Sequence, residues 1–218
     1  DGVPIKYEYV DLKQNELYNL KTDPSESTNI ILEFPEIVKK IQHLANKKRQ
    51  EINDVIDHRL INWLLSNSYN PIIISNTVSK NLQRKKLGLL KKMNIKGIIL
   101  SGGNDVKKNS LRYLSQINLI NFAKKNKLSL LGICQGMQML GVYYGSKLKK
   151  VKKHVVKNHK LILFSDKKFP KHVNSYHNFA LKTCPKEFFV TTKSTDGEIE
   201  SIKHKKYNWE GWMWHPER

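Results

Sequence analysis

"LSLLGICQGMQML", residues 128–140, sets a cysteine between two glycines, after an apolar run and before a helix-like pattern. The run is short and lacks polar alternation, so it reads as a strand buried on both faces. Gly132-Ile133-Cys134-Gln135-Gly136 then has the form of a nucleophile elbow carrying a thiol. Small residues two positions either side let a strand turn sharply into a helix and force the middle side chain upward. Backbone N–H groups at the start of that helix favour a thiolate and predict a lowered thiol pKa. The competing reading is a small buried structural cysteine, since free Cys is among the most buried residue types. This segment alone leaves the two readings open.

Working outward, helices alternate with short apolar runs. Residues 54–67, 77–93 and a stretch within 109–126 read as helices, while "PIIIS" (71–75), "GIILS" (97–101) and "LSLLGI" (128–133) read as buried strands. Unalternating strands separated by helices predict an α/β fold, an open, doubly wound, mostly parallel sheet with helices on both faces. Ligands of such sheets gather at the carboxyl ends of the strands, so Ser101-Gly102-Gly103 and Cys134 are expected to face one crevice. After Gly145 the chain turns to strands and turns, at 159–165, 172–181, 188–194, 198–205 and 211–216.

The first fifty or so residues differ. "YEYVDLKQNELYNLKTDPSES" (7–27) alternates and then turns, reading as a short strand pair or an extended strand and loop. "FPEIVKKIQHLANKKRQEI" (34–52) reads as an amphipathic helix with Pro35 at its first position and Ile37, Ile41, Leu44 and Ile52 on one stripe. The predicted organisation is a strand-plus-helix appendage over 1–53 and a catalytic domain over 54–218.

Composition narrows the classes. No stretch approaches the roughly 20 apolar residues of a membrane span. Only two cysteines, Cys134 and Cys184, are present, which argues against a disulfide framework and fits a reducing, cytoplasmic setting. The net charge of +20 raises the question of a polyanion partner. Of the 39 basic residues only five are arginine, and the one dense run, "KLKKVKKHVVKNHK" (147–160), has no aromatics or arginines to stack on or read bases. It reads as a solvated surface; a non-enzymatic module binding RNA or an anionic surface is kept as an alternative function. His154 and His159 have no Cys or acidic residue clustered beside them in sequence, so no metal site is expected, and no cofactor.

A cysteine that hydrolyses an amide needs a base that later protonates the leaving group, and that base needs an orienting acceptor. "WMWHPE" (212–217) offers His215 and Glu217, two residues apart on an extended chain and so on one side, with Pro216 stiffening the pair. Taken alone, without Cys134, His-Pro-Glu reads better as a surface turn. Backbone N–H groups of Gly103 and Gln135 are candidates for an oxyanion site. Gln138, one helical turn beyond Cys134, can reach a polar substrate.

In combination, Gly-Ile-Cys-x-Gly-x-Gln, the earlier Ser-Gly-Gly-Asn-Asp and the late His-Pro-Glu resemble the class I glutamine amidotransferases, and more narrowly the branch of γ-glutamyl hydrolases. "DHRLINWLLSNSYNPIIISN" (57–76) is similar to that branch's first helix and second strand, and "VNSYHNFAL" (173–181) to its substrate loop. The resemblance covers residues 55–218. It implies Cys134 as nucleophile, His215 as general base and acid, Glu217 as its partner, and Gly103 and Gln135 at the oxyanion. Gln138, Asn174, Ser175 and His177 are implied near the glutamyl substrate. The implied reaction is cysteine-dependent hydrolysis of a γ-glutamyl amide through a glutamyl thioester, with release of glutamate. A glutaminase subunit supplying ammonia to a partner synthetase is the alternative. This chain departs from the pattern in lacking a strand before the helix near Val55 and in ending one residue after Glu217, and it opens on Asp1 rather than Met. "ELYNLKTDPSESTNI" (16–30) and the helix after it resemble the C-terminal tail of type I sulfatases, without that family's nucleophile motif. Together these features point to a fusion or a truncated chain.

Overall fold

A computed structural model of the chain describes residues 17–19, 21–25, 27–52, 56–76, 80–166 and 168–218. The chain divides into two units, Asp1–Val55 and Ile56–Arg218. In the first, helix α1 (Pro35–Ile52) starts on the proline, whose missing N–H has no intrahelical partner to lose at that position. Ile37, Ile41 and Leu44, the predicted apolar stripe, are each about half exposed. The strand pair expected over 7–27 falls largely outside the described residues, and its described part is turn. There the Asp23 carboxylate accepts the Thr28 N–H (2.7 Å) and the Ser27 hydroxyl (2.8 Å). Those bonds, the Thr28 one foremost, hold its pKa at about 2.

The second unit runs α2 (His58–Ser66), α3 (Lys80–Lys92), β1 (Gly97–Leu100), α4 (Leu111–Lys125), β2 (Ser129–Ile133), α5 (Gln135–Tyr143), β3 (Leu148–Lys150), β4 (Val155–Leu163), β5 (His172–Tyr176), β6 (Phe179–Leu181), β7 (Phe188–Ser194), β8 (Ile199–His204) and β9 (Trp209–Trp212). Seven strands form one sheet in the order β1-β2-β9-β8-β7-β4-β5, and β3 pairs with β6. The α/β class is as read from the sequence. The sheet is mixed, with its parallel pairings at β1-β2 and β2-β9 and antiparallel ladders from β9 to β5.

Helices cover both faces of the parallel end. Leu130 of β2 packs with Met137, Met139 and Leu140 of α5 and Ile120 and Ala123 of α4. Ile133 and Leu131, on the opposite face by the strand's two-residue period, pack with Leu60 and Leu64 of α2. Local signals set the helix starts: Asp57 accepts the Arg59 N–H before α2, and Ser110 accepts the Tyr113 N–H before α4. No helix among the described residues is long and apolar enough to cross a membrane.

One expected strand is not formed. Residues 71–76 join no ladder, and Ile72 and Ile73 are 48% and 61% exposed. An isoleucine run has strand propensity, but a strand exists only by pairing, and β1 ends the sheet with β2 as its one partner among the described residues.

The start of α5 lies at backbone contact with both β strands before it. A Cβ on Gly132 would stand 2.6 Å from the Gly136 carbonyl, and one on Gly136 would collide with the Leu100 carbonyl oxygen. Neither neighbour is a side-chain end that can swing away. Gly136→Ala is therefore expected to destabilise the fold by about 3 kcal/mol, read as a lowered urea midpoint, whereas Gly88→Ala, where a Cβ meets nothing within 4 Å, leaves the midpoint unchanged or raises it.

Candidate active site

Cys134 stands where β2 ends and α5 begins, with φ 49° and ψ −105°. A non-glycine residue there carries strain of about 1–3 kcal/mol, which persists only when the surroundings dictate it. They do so from both sides. Its N–H donates to the Trp212 carbonyl on β9 (2.7 Å), and its carbonyl accepts the Gln138 N–H (3.1 Å) in the first turn of α5. The sharp turn read from the glycine spacing is present, but the expected lowered thiol pKa is not. Burial pushes the Cys134 thiol up to about 12; the Gln135 N–H on its sulfur pulls the other way, and the Glu217 charge adds to the rise. Cys134 is 4% exposed, so desolvation outweighs the helix start.

His215 and Glu217 meet as the two-residue spacing predicts, Nδ1 lying 2.6 Å from Oε1, with both side chains buried. The carboxylate fixes Nδ1 as the protonated nitrogen of a neutral ring and leaves the lone pair on Nε2. The backbone of His215 is held by Asn174, whose Oδ1 accepts the His215 N–H (2.9 Å) while its Nδ2 donates to the His215 carbonyl (2.7 Å).

The position of the ring follows from Gly102. A Cβ there would lie 2.5 Å from His215 Cε1 and 3.3 Å from each ring nitrogen. Gly102 follows β1 and His215 follows β9, and β2, ending in Cys134, lies between those two strands. The His215 ring, carried by the segment after β9, therefore meets Gly102 from across β2.

The glycine loop is oriented by Arg112, in the first turn of α4. Its Nη2 donates to the carbonyls of Ser101 (2.7 Å) and Gly102 (2.9 Å), and a Cβ on Gly103 would collide with the guanidinium. In a trans peptide the N–H points opposite to the C=O, so the N–H groups of Gly102 and Gly103 point away from Arg112. The Gln135 side chain is tied to Gln116 by two reciprocal amide hydrogen bonds (2.9 and 3.1 Å), both residues buried.

The four residues expected near a substrate all make hydrogen bonds within the protein. Gln138 is 2% exposed and donates to the Phe179 carbonyl (2.8 Å). Asn174 holds His215. Ser175 is fully buried and donates to the His154 carbonyl (2.7 Å), and His177 lies in a buried cluster with His154 and Glu200. In each case the polar group is already engaged within the protein. His154, read as lacking acidic companions, acquires Asp196 at 2.8 Å and Glu200 at 3.7 Å from distant parts of the chain.

Arg112 and Gln116 were not singled out by the sequence reading, and Gly102 was read only as part of the glycine loop, not as the seat of the His215 ring. Arg112 had one usable signal: it is one of only five arginines among 39 basic residues, nine residues after a glycine pair, where a fork of donors serves two carbonyls and an ammonium does not.

Residues 50–218 match the family model described as glutamine amidotransferase class-I. The chain belongs to the class-I glutamine amidotransferase family. It is 38% identical over 130 residues to the γ-glutamyl-CDP-amidate hydrolase of Campylobacter jejuni, covering 57% of this chain and 63% of that protein. It is 32% identical over 129 residues to one of the subunits of the glutamine-hydrolysing GMP synthase of Methanococcus aeolicus, covering 56% and 65%. In both cases the match spans a little under two thirds of the relative's length. A glutamine amidotransferase of known structure from Thermotoga maritima superposes with a TM-score of 0.57 at 18% identity, covering 72% of this chain and 69% of that one. The comparisons lend no support to a sulfatase-like segment at residues 1–53.

This amidotransferase-family site is built around a thiol that is protonated at rest, which has a direct consequence. The rate of Cys134 alkylation by iodoacetamide is expected to be slow at pH 7 and to climb about tenfold per pH unit up to about pH 11, because the thiolate fraction rises until the pKa of about 12. Peptide mass spectrometry, with Cys184 as the internal comparison, measures it.

Proposed function

We propose that this chain hydrolyses a γ-glutamyl amide, with Cys134, His215 and Glu217 as a catalytic triad. The single observation that supports it most is the His215 imidazole. Glu217 holds its Nδ1 at 2.6 Å, and its ring lies against Gly102 across β2, the strand that Cys134 follows at the head of α5.

In this reading the side-chain carbonyl of the glutamyl group enters above Cys134. His215 Nε2 takes the thiol proton as sulfur bonds to the carbonyl carbon, so a thiol of pKa about 12 need not ionise beforehand. The carbonyl π electrons move onto oxygen, and the N–H groups of Gln135 and Gly103 receive the oxyanion. Collapse of the tetrahedral intermediate breaks the carbon–nitrogen bond, and His215 gives its proton to the departing amine. Water then attacks the thioester, with His215 as base, and releases glutamate and the free thiol. Glu217 stabilises the imidazolium formed twice in the cycle. Asn174 and Arg112 are positioning residues here, the first for His215 and the second for the oxyanion loop. For Gln138, Asn174, Ser175 and His177 the proposed role is to shape the glutamyl pocket from behind, through the bonds just described.

The Campylobacter relative favours an amidate substrate, and the GMP synthase relative favours ammonia supply to a partner synthetase. Glutamate release from glutamine and from a γ-glutamyl phosphoramidate, followed by mass spectrometry, separates them: preference for the amidate without a partner supports the hydrolase, and glutamine turnover that rises on adding a synthetase supports the ammonia-supplying role. Cys134→Ala is expected to lower turnover by about 10⁵–10⁶-fold and to abolish the trapped glutamyl adduct; turnover kept in that variant would rule out the mechanism. Gly102→Ala, whose methyl group displaces the His215 ring, is expected to lower kcat by at least about 100-fold with the fold retained by circular dichroism, while KM moves little.

A further inference from the structure

We infer that His154, His177 and Glu200 form a binding site for one divalent transition-metal ion of the zinc class. The three residues come from distant places, the turn before β4, the turn between β5 and β6, and the start of β8, and each is almost fully buried. His154 Nδ1 lies 3.3 Å from His177 Nε2 and 3.7 Å from Glu200 Oε1, and His177 Nε2 lies 3.6 Å from the same oxygen. The centre of that triangle is about 2.0 Å from each corner, against Zn–N distances of about 2.0–2.1 Å and Zn–O distances of about 2.0–2.2 Å.

The hydrogen bonds outside the triangle decide what points into it. His154 Nε2 faces the Asp196 carboxylate at 2.8 Å, and His177 Nδ1 faces the Phe179 carbonyl at 3.0 Å. Both acceptors require an N–H, so in the neutral rings the lone pairs of His154 Nδ1 and His177 Nε2 are directed at each other and at Glu200. Both carboxylate oxygens of Glu200 are buried without a hydrogen-bond partner. Three electron-rich atoms therefore converge on one point with no donor among them. One extra proton would let one imidazolium donate to one neighbour, whereas a metal ion satisfies all three. A carboxylate on one histidine and a backbone carbonyl on the other is also the outer arrangement that orients ligating imidazoles. The site is held in shape before any ion arrives, since the His154 carbonyl accepts both the His177 N–H (3.0 Å) and the Ser175 hydroxyl (2.7 Å). Two imidazoles and a carboxylate suit zinc among the metals of ordinary availability.

The test uses the whole chain, stripped with EDTA and then titrated with Zn²⁺ or Co²⁺, and needs no assay of turnover. About one ion per chain is expected after gel filtration. The Co²⁺ form should show the intense visible bands of a low-coordinate site, and Zn²⁺ should raise the melting temperature by several degrees. Glu200→Gln, which keeps the shape, should weaken Co²⁺ binding by about 10–100-fold. Wild-type chain that retains no ion, or a folded Glu200→Gln chain that binds as tightly as wild type through surface histidines, overturns the proposal. Should that variant not fold, the imidazole resonances of the wild type decide. Paramagnetic shifts on His154 and His177 in the Co²⁺ form support the site; unshifted rings beside bound Co²⁺ refute it.

Discussion

The whole site depends on one close approach, the first turn of α5 resting on the backbones of β1 and β2. Gly132 and Gly136 leave no side chain between the helix and the two strands, and the chain can then pass from strand to helix within a single residue. That residue is Cys134, held at positive φ by bonds to β9 on one side and to α5 on the other. Any atom inserted in this contact moves the sulfur. The geometry of the sulfur is thus set by what the two glycines lack.

Around that contact the other groups are arranged by restraint more than by attraction. Asn174 grips the His215 backbone at both its N–H and its carbonyl, Glu217 fixes the ring, and Gly102 leaves the space the ring occupies. Arg112 turns two carbonyls toward itself, and trans peptide geometry turns the matching N–H groups the other way. The neutral Gln116–Gln135 pair holds the residue after Cys134 without adding a charge beside the thiol. A protonated thiol in a dry site fits this picture, because it stores a nucleophile that ionises only as a proton is taken from it.

Much of this was legible in the sequence because it is local. The glycine spacing around Cys134 gave the turn, the two-residue spacing of His215 and Glu217 gave their hydrogen bond, and unalternating apolar runs gave β1 and β2. What failed were inferences about environment. The helix-start argument for Cys134 was sound as far as it went, but burial is the larger effect, and burial depends on α2 packing against the residue. The run at 71–75 has the composition of a strand and joins no ladder. The inward hydrogen bonds of Asn174, Ser175 and His177, to His215, to His154 and within a buried cluster, were not legible from the sequence.

The chain's residues, taken in order, settle the chemical types at the site and the backbone shapes a few neighbours can set: a thiol at an elbow, an imidazole beside a carboxylate, a glycine pair after a strand. The assembled fold settles which polar groups are spoken for and how strongly each is desolvated. It brought Gly102 under the His215 ring, Arg112 onto the glycine loop, and His154, His177 and Glu200 to within 4 Å of one another. The reason is one of range. Dihedral preferences and neighbouring hydrogen bonds act over a few residues, while burial and convergence are properties of segments tens of residues apart that meet only when the sheet is assembled.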